Sequence, residues 1–203
     1  MSDGGRWGAA ERRTIETQVR AEVMLDGDGR AAVETGIGFF DHMLEQLARH
    51  SGFDIEVRAN GDLRVDGHHT VEDVGLALGE ALSSALGDRA GIRRFGWASV
   101  PMDEALVEVS LDVSGRPFVV HEVALPAGTT GDLDATLVED FVRAFALAGG
   151  LTVHVRSRSG RSVHHVVEAE FKAMARSLGD ACARAAGGVP STKGVIESGR
   201  RAE

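Results

Sequence analysis

The stretch DGHHTVED, residues 66–73, has a counterpart near the other end of the chain in SVHHVVEAE, residues 162–170. Both contain His-His-x-x-Glu, and each leads into a helix-like run. Residues four apart on a helix share a face, so His68 points with Glu72 and His164 with Glu168. His69 and His165 sit one step round, about 100° away. Two adjacent imidazoles cannot easily chelate one ion, but they can offer one ring to each of two ions. Imidazole with carboxylate suits Mn, Fe, Zn or Ni better than Ca. A single such pair reads equally well as a polar helix start; two copies in register do not.

Working outward, the flanks repeat as well. FFDHMLEQLARHSGFDIEV (39–57) lies over LVEDFVRAFALAGGLTVHV (137–155), which makes His42 and Asp140 equivalent positions, each expected to complete one metal. In the first half, 14–24 alternates as a strand, LDGDGR (25–30) reads as a hairpin turn and 31–36 as its return strand. A helix over 39–52 follows, ended by Gly52. A second alternating stretch turns at Asn60-Gly61, and a long helix closes at Gly87. The second half repeats the order, with a strand over 104–115, a turn at SGRP, a return strand over 118–125, a helix, a strand and a last long helix. This predicts an α+β chain built by internal duplication of strand-strand-helix-strand-helix units. The expected organisation is a flexible tail over 1–11, half-repeats over 12–95 and 96–190, and a substrate loop and tail over 191–203. The loop 124–134 is the main irregular segment, and His121 and His154 read as structural residues within strands.

A hydrophobic share of 43% supports a real core, while 5% aromatic residues and 26 glycines point to tight packing of small residues. A net charge of −9 argues against nucleic acid as a partner. Cys182 is the one cysteine, which excludes an intrachain disulfide and fits a reducing compartment. No signal peptide and no membrane-length apolar run stand out, so a soluble cytoplasmic protein is expected. Basic residues in glycine-flanked loops (GIRRFG, SGRPF, PSTKG) place Arg94, Arg116, Ser191, Thr192 and Lys193 where an anion could be held. PSTKG lacks the spacing of a phosphate-binding P-loop.

TGIGFFDHMLEQLARH, DGHHTVEDVGLALGEAL, GIRRFG, VPMDEAL, DVSGRPF, HHVVEAEFKAMARSL and PSTKG, in that order, resemble the imidazoleglycerol-phosphate dehydratases of histidine biosynthesis, over roughly residues 12–195. The resemblance implies two four-stranded-sheet-plus-two-helix halves, of the ribosomal protein S5 domain 2-like kind. It also implies a 24-subunit homo-oligomeric shell, with active sites between subunits and two Mn²⁺ ions in each. The implied metal ligands are His42, His68, His69, Glu72, His164, His165 and Glu168, with Asp140 where the family usually has histidine. Implied substrate contacts are Glu16, His42, His50, His68, Glu72, Arg94, Arg116, His164, Lys172, Ser191, Thr192 and Lys193.

The implied reaction removes water from imidazole glycerol phosphate, through an imidazolate and a diazafulvene-like intermediate, to give imidazole acetol phosphate. Glu16, assisted by His50, would handle the leaving hydroxyl's proton, and Glu168 or Glu72 the carbon-bound proton. Arg94, Arg116 and Lys193 would hold the phosphate. Two rival readings are a two-metal phosphate hydrolase, which would release inorganic phosphate, and a lapsed homologue whose metals only hold an assembly together.

Overall fold

The computed structural model describes residues 5–125 and 128–186. The first half runs β1 (Trp7–Arg13), β2 (Thr17–Met24), β3 (Ala31–Glu34), α1 (Gly38–Ser51), β4 (Asp54–Gly61) and α2 (His68–Leu86). The second runs β5 (Phe95–Met102), β6 (Ala105–Asp112), β7 (Phe118–Glu122), α3 (Leu137–Gly149), β10 (Thr152–Ser159) and α4 (Val163–Cys182). Two-residue strands β8 (Thr129–Thr130) and β9 (Leu133–Asp134) pair within the connecting loop. The two large sheets have the same order, β1-β2-β4-β3 and β5-β6-β10-β7.

Period-two burial explains the inner strands. Val19, Ala21 and Val23 of β2 are buried while Gln18 and Arg20 are exposed. On the helices the apolar stripe is Phe40, Met43, Leu44, Leu47 and Ala48 in α1, and Val138, Phe141, Val142 and Phe145 in α3. Rings join the layers: Phe141 packs edge-on against Phe40 and stacks with Phe171. Each such fully buried side chain contributes roughly 1.5–3 kcal/mol.

Four expectations are corrected. Residues 7–11, assigned to a tail, belong to β1, which pairs with β2 from Trp7↔Met24 to Arg13↔Gln18. Its Gly-Ala-Ala sequence carries no strand signature, because its inner position has to be empty: a Cβ on Gly8 would lie 2.2 Å from the Ala81 carbonyl oxygen on α2. The stretch 25–30 is no hairpin turn. The Asp54 carboxylate accepts from the backbone N–H groups of Asp28 and Arg30 at 2.9 Å, drawing the chain to β4, and β3 pairs with β4 in parallel. The supposed return strand β7 likewise pairs in parallel with β10, not with β6. Finally, β5 fills a stretch not read as a strand and opens at Phe95, one residue before the expected boundary; Phe95 and Trp97 on its outer side are exposed and mask the alternation. Each unit therefore holds one strand more than the local pattern predicts, and the two four-stranded sheets are those the resemblance implies.

The halves interlock through their helices. Each long helix lies on its own sheet, whereas α1 packs on α4 and α3 packs on α2. Contact between α2 and α3 is backbone-close: a Cβ on Gly79 would stand 2.5 Å from the Phe145 carbonyl oxygen, and one on Gly75 2.9 Å from the Ala144 methyl. On the other sheet, a Cβ on Gly96 would meet the Ser177 carbonyl oxygen at 1.9 Å, as Gly8 would meet α2. Alanine at Gly79 or Gly96 should destabilise the fold by about 1–3 kcal/mol through overpacking, measurable as a lowered urea midpoint.

One buried pair breaks the duplication. His121 Nε2 lies 2.9 Å from Glu170 Oε1, with side chains 4% and 0% exposed, where the first half has Val33 and Val74. Burial pushes the His121 pKa down, but the Glu170 hydrogen bond and the nearby Glu139 carboxylate outweigh it, and the net shift is upward. Its stabilisation is therefore complete below the ordinary histidine pKa and fades as pH rises through the raised one. Either single valine substitution, His121→Val or Glu170→Val, should cost about 3 kcal/mol or more, and the double variant should recover most of it. The stability of the native chain relative to the double variant should fall as pH rises above the ordinary histidine pKa, as read in urea titrations.

Candidate metal centre

The helix crossings bring the repeated residues together in an exchanged manner. At the α1–α4 crossing, His42 Nε2 lies 3.8 Å and His164 Nε2 3.1 Å from the same Glu168 oxygen, Oε2. Lys172 Nζ donates to the other oxygen, Oε1, at 2.7 Å. Burial of Glu168 favours its neutral form, but the Lys172 ammonium outweighs this and lowers its pKa. The Phe39 ring packs 5.0 Å from the His164 ring. At the α2–α3 crossing the equivalent contact is His68 Nδ1 with Asp140 Oδ2, 3.3 Å apart. Glu72, one turn on from His68, is exposed and has no side-chain partner among the described residues. The His68 ring turns to Asp140 rather than to Glu72, and Leu76 stands where α4 has Lys172.

The second histidine of each pair points elsewhere. The rings of His68 and His69, and of His164 and His165, are edge-on with centroids 5.9 Å apart. His69 Nδ1 lies 3.1 Å from Asp62 Oδ2 and 3.6 Å from Glu16 Oε2, and these three residues form a group of potential ligands. His165 Nδ1 lies 2.7 Å from Glu104 Oε2, and Asp103 Oδ2 lies 3.6 Å from Nε2. These carboxylates raise the pKa of both histidines, Asp62 acting chiefly on His69 and Glu104 on His165.

Loop contacts fix the helix starts. Asp132, between β8 and β9, accepts from the N–H groups of Gly38 and Phe39 at 2.7 and 2.9 Å, capping α1 from the other half. Those bonds hold its carboxyl below the ordinary range. Asp66 accepts from His68 N at 2.9 Å at the start of α2, and Ser162 Oγ accepts from His165 N at the start of α4. His50 ends α1 against Gln46, 3.0 Å away; burial, and then the charges of Lys172 and Arg176, lower its pKa.

The anion side lies apart. Arg94 grips Asp112 through Nε at 2.7 Å and a terminal nitrogen at 3.0 Å, with its guanidinium over the Phe95 ring. Arg116, largely exposed, stands 3.9 Å from the same Asp112. Both are at the Phe95 end of β5, whereas Glu104 and His165 are beyond its Met102 end. An eight-residue strand makes that separation roughly 25 Å. Ser191, Thr192 and Lys193 lie outside the described residues. Asp62, Asp103 and Glu104 were not among the residues singled out from sequence: each is near its histidine only through folding, although VPMDEAL carries two of them.

The family model described as imidazoleglycerol-phosphate dehydratase matches residues 35–178. The chain belongs to the imidazoleglycerol-phosphate dehydratase family, a family of hydro-lyases. Relatives carrying that name include those of Symbiobacterium thermophilum, 54% identical over 94% of this chain and 93% of the relative, and Gluconobacter oxydans, 51% identical over 91% and 95%. Among solved structures, the family member from Pyrococcus furiosus superposes with TM-score 0.80 at 37% identity, covering 92% of this chain and 99% of that one. The Staphylococcus aureus enzyme gives 0.78 at 34%, over 87% and 99%. The duplicated α+β architecture is thus the family's own. Among the described residues, no helix is long and apolar enough to cross a membrane.

Removing the ammonium that pins Glu168 should free its titration. In metal-free protein, Lys172→Met should raise the Glu168 pKa, visible as a shifted carboxyl ¹³C NMR titration, while the circular dichroism spectrum is unchanged.

Proposed function

We propose that the chain dehydrates imidazole glycerol phosphate to imidazole acetol phosphate in histidine biosynthesis, using two divalent metal ions, Mn²⁺ being the expected pair. The observation that carries this reading is the exchanged donor arrangement. At one helix crossing the first half's short helix brings His42 to the Glu168 oxygen that His164 also contacts, and at the other the second half's short helix brings Asp140 to His68. The second histidine turns to a separate carboxylate group. Imidazole nitrogens and carboxylate oxygens with no thiolate fit such ions, since Cys182 is buried and its pKa is pushed up to about 12 by burial. His42, His68, His69, Glu72, Asp140, His164, His165 and Glu168 would hold the metals, Asp140 through an oxygen in place of the family's usual imidazole. When bound, the ions supply Lewis acidity at a substrate ring nitrogen and hydroxyl and a template for both.

The side chains divide the remaining work. Glu16, on the exposed β1–β2 turn, handles the proton of the leaving hydroxyl, with His50 assisting. Glu72 is unpinned and can swing to carry the carbon-bound proton, whereas Glu168 is held ionised by Lys172. Lys172 also offers its ammonium to substrate beside His42 and His164. Arg94, Arg116 and the Ser191–Lys193 loop bind the phosphate, which positions the reacting carbons.

The distance between the Arg94–Arg116 pair and the His165 end of the same sheet supports sites completed by neighbouring copies. A 24-subunit shell is the assembly we propose, in the cytoplasm, with neither nucleic acid nor membrane as a partner.

Metal-stripped protein should give no acetol phosphate until Mn²⁺ is added; release of inorganic phosphate instead would establish the hydrolase reading. Asp140→Ala should lower kcat/KM about 100-fold or more, and Asp140→His should stay within about 10-fold of the native chain. Light scattering of the loaded protein checks the assembly.

A further inference from the structure

We infer that Asp62 and Glu104 are positioning residues that keep the proton of His69 and His165 on Nδ1, so that Nε2 of each ring is the atom presented to metal. The inference rests on the two-metal reading above for its ligand half, and on hydrogen-bond geometry alone for its tautomer half.

The two halves reach the same arrangement with non-equivalent residues. In the first half the carboxylate comes from the six residues between β4 and α2, where Asp62 faces His69 Nδ1 with both oxygens, at 3.1 and 3.3 Å. In the second half the matching connection is only Gly160, Arg161 and Ser162, with no acid in it. There the carboxylate comes from the β5–β6 turn: Glu104 Oε2 lies 2.7 Å from His165 Nδ1, and an ionised carboxylate can only accept. Inheritance from the duplicated ancestor does not account for this, because the partner changed element while the contact stayed. The first-half counterpart of that turn bears Glu16, 3.6 Å from His69 Nδ1; with Asp62 already on that nitrogen, Glu16 is left exposed and available. A carboxylate on one ring nitrogen fixes the tautomer and orientation of the other and raises its basicity toward a metal.

Glu104 is itself locked in orientation. Its other oxygen, Oε1, accepts the N–H groups of Arg161 and Ser162 at 3.0 and 2.7 Å, the first donors before α4. This makes Glu104→Gln a sharp test. The amide oxygen must face those two N–H groups, which leaves the amide NH₂ facing His165 Nδ1. A donor there demands a lone pair on Nδ1 and moves the ring proton to Nε2, the atom otherwise presented to metal.

In metal-free protein held above the histidine pKa, ¹⁵N NMR of histidine-labelled native chain should report His165 and His69 with the proton on Nδ1. Glu104→Gln should switch His165 to the Nε2-protonated form and leave His69 unchanged; Asp62→Ala should remove the preference at His69 only. Calorimetric Mn²⁺ titration should show an affinity lower by about 10- to 100-fold for one class of site in Glu104→Gln. Asp103→Asn, which removes an exposed charge 3.6 Å from the other nitrogen of the same ring, should stay within about 3-fold. An unswitched tautomer in Glu104→Gln, or an equal loss in Asp103→Asn, would overturn the inference. A switched tautomer in protein that binds no Mn²⁺ even in its native form would sink the two-metal reading, and the ligand half with it, while leaving the orienting contact established.

Discussion

Each short helix lies on the long helix of the opposite half, and the candidate centre depends on that exchange. His42 meets Glu168, and Asp140 meets His68, only because α1 crosses α4 and α3 crosses α2. Backbone proximity at Gly75 and Gly79 sets the depth of the α2–α3 crossing, and Gly8 and Gly96 let the long helices settle on their sheets. A shift of one ångström in either crossing would separate donors that belong to different halves. Catalytic geometry is sensitive on that scale, so the small residues are as much a part of the site as the histidines.

The centre also shows how an acidic chain uses its excess carboxylates. Asp54, Asp132 and Glu104 each accept two backbone N–H groups, and Asp26 takes bonds from Arg6 and Arg184. These acids tie together segments far apart in sequence at places where helices and strands begin. Asp132 is the most consequential, because it caps the helix bearing His42 from a loop in the other half. Asp54 and Glu104 act within one repeat, whereas Asp132 and the Asp26–Arg184 pair join the two.

What was legible in the sequence was periodic or repeated. The four helices follow from 3.6-residue apolar spacing and glycine stops at Gly52 and Gly87, and the duplication from His-His-x-x-Glu with matching flanks. Strand pairing was not legible. β1 has glycine and alanine where an inward apolar residue would betray a strand, and β5 exposes Phe95 and Trp97. Both Asp-Gly and Ser-Gly turns suggested hairpins, yet side chains and parallel ladders across the chain carry β3 and β7 to more distant partners. Of the candidate site, the paired histidines and the equivalence of His42 with Asp140 could be read locally. Asp62 and Glu104 could not, since nothing in their neighbourhoods announces a histidine partner 7 or 61 residues away.

The exchange of helices has a kinetic side. α1 spans residues 38–51 and its partner α4 spans 163–182, so Phe40 and Leu44 emerge early in synthesis and wait for nearly the whole chain before that face is covered. Loop closure over such separations is slow compared with forming either helix. The first half must therefore persist as a partly packed intermediate whose apolar helix face is open to other chains. In a protein whose halves share one topology, the readiest cover for that face is the long helix of a second nascent chain, so the architecture that builds the centre also invites domain exchange during biogenesis.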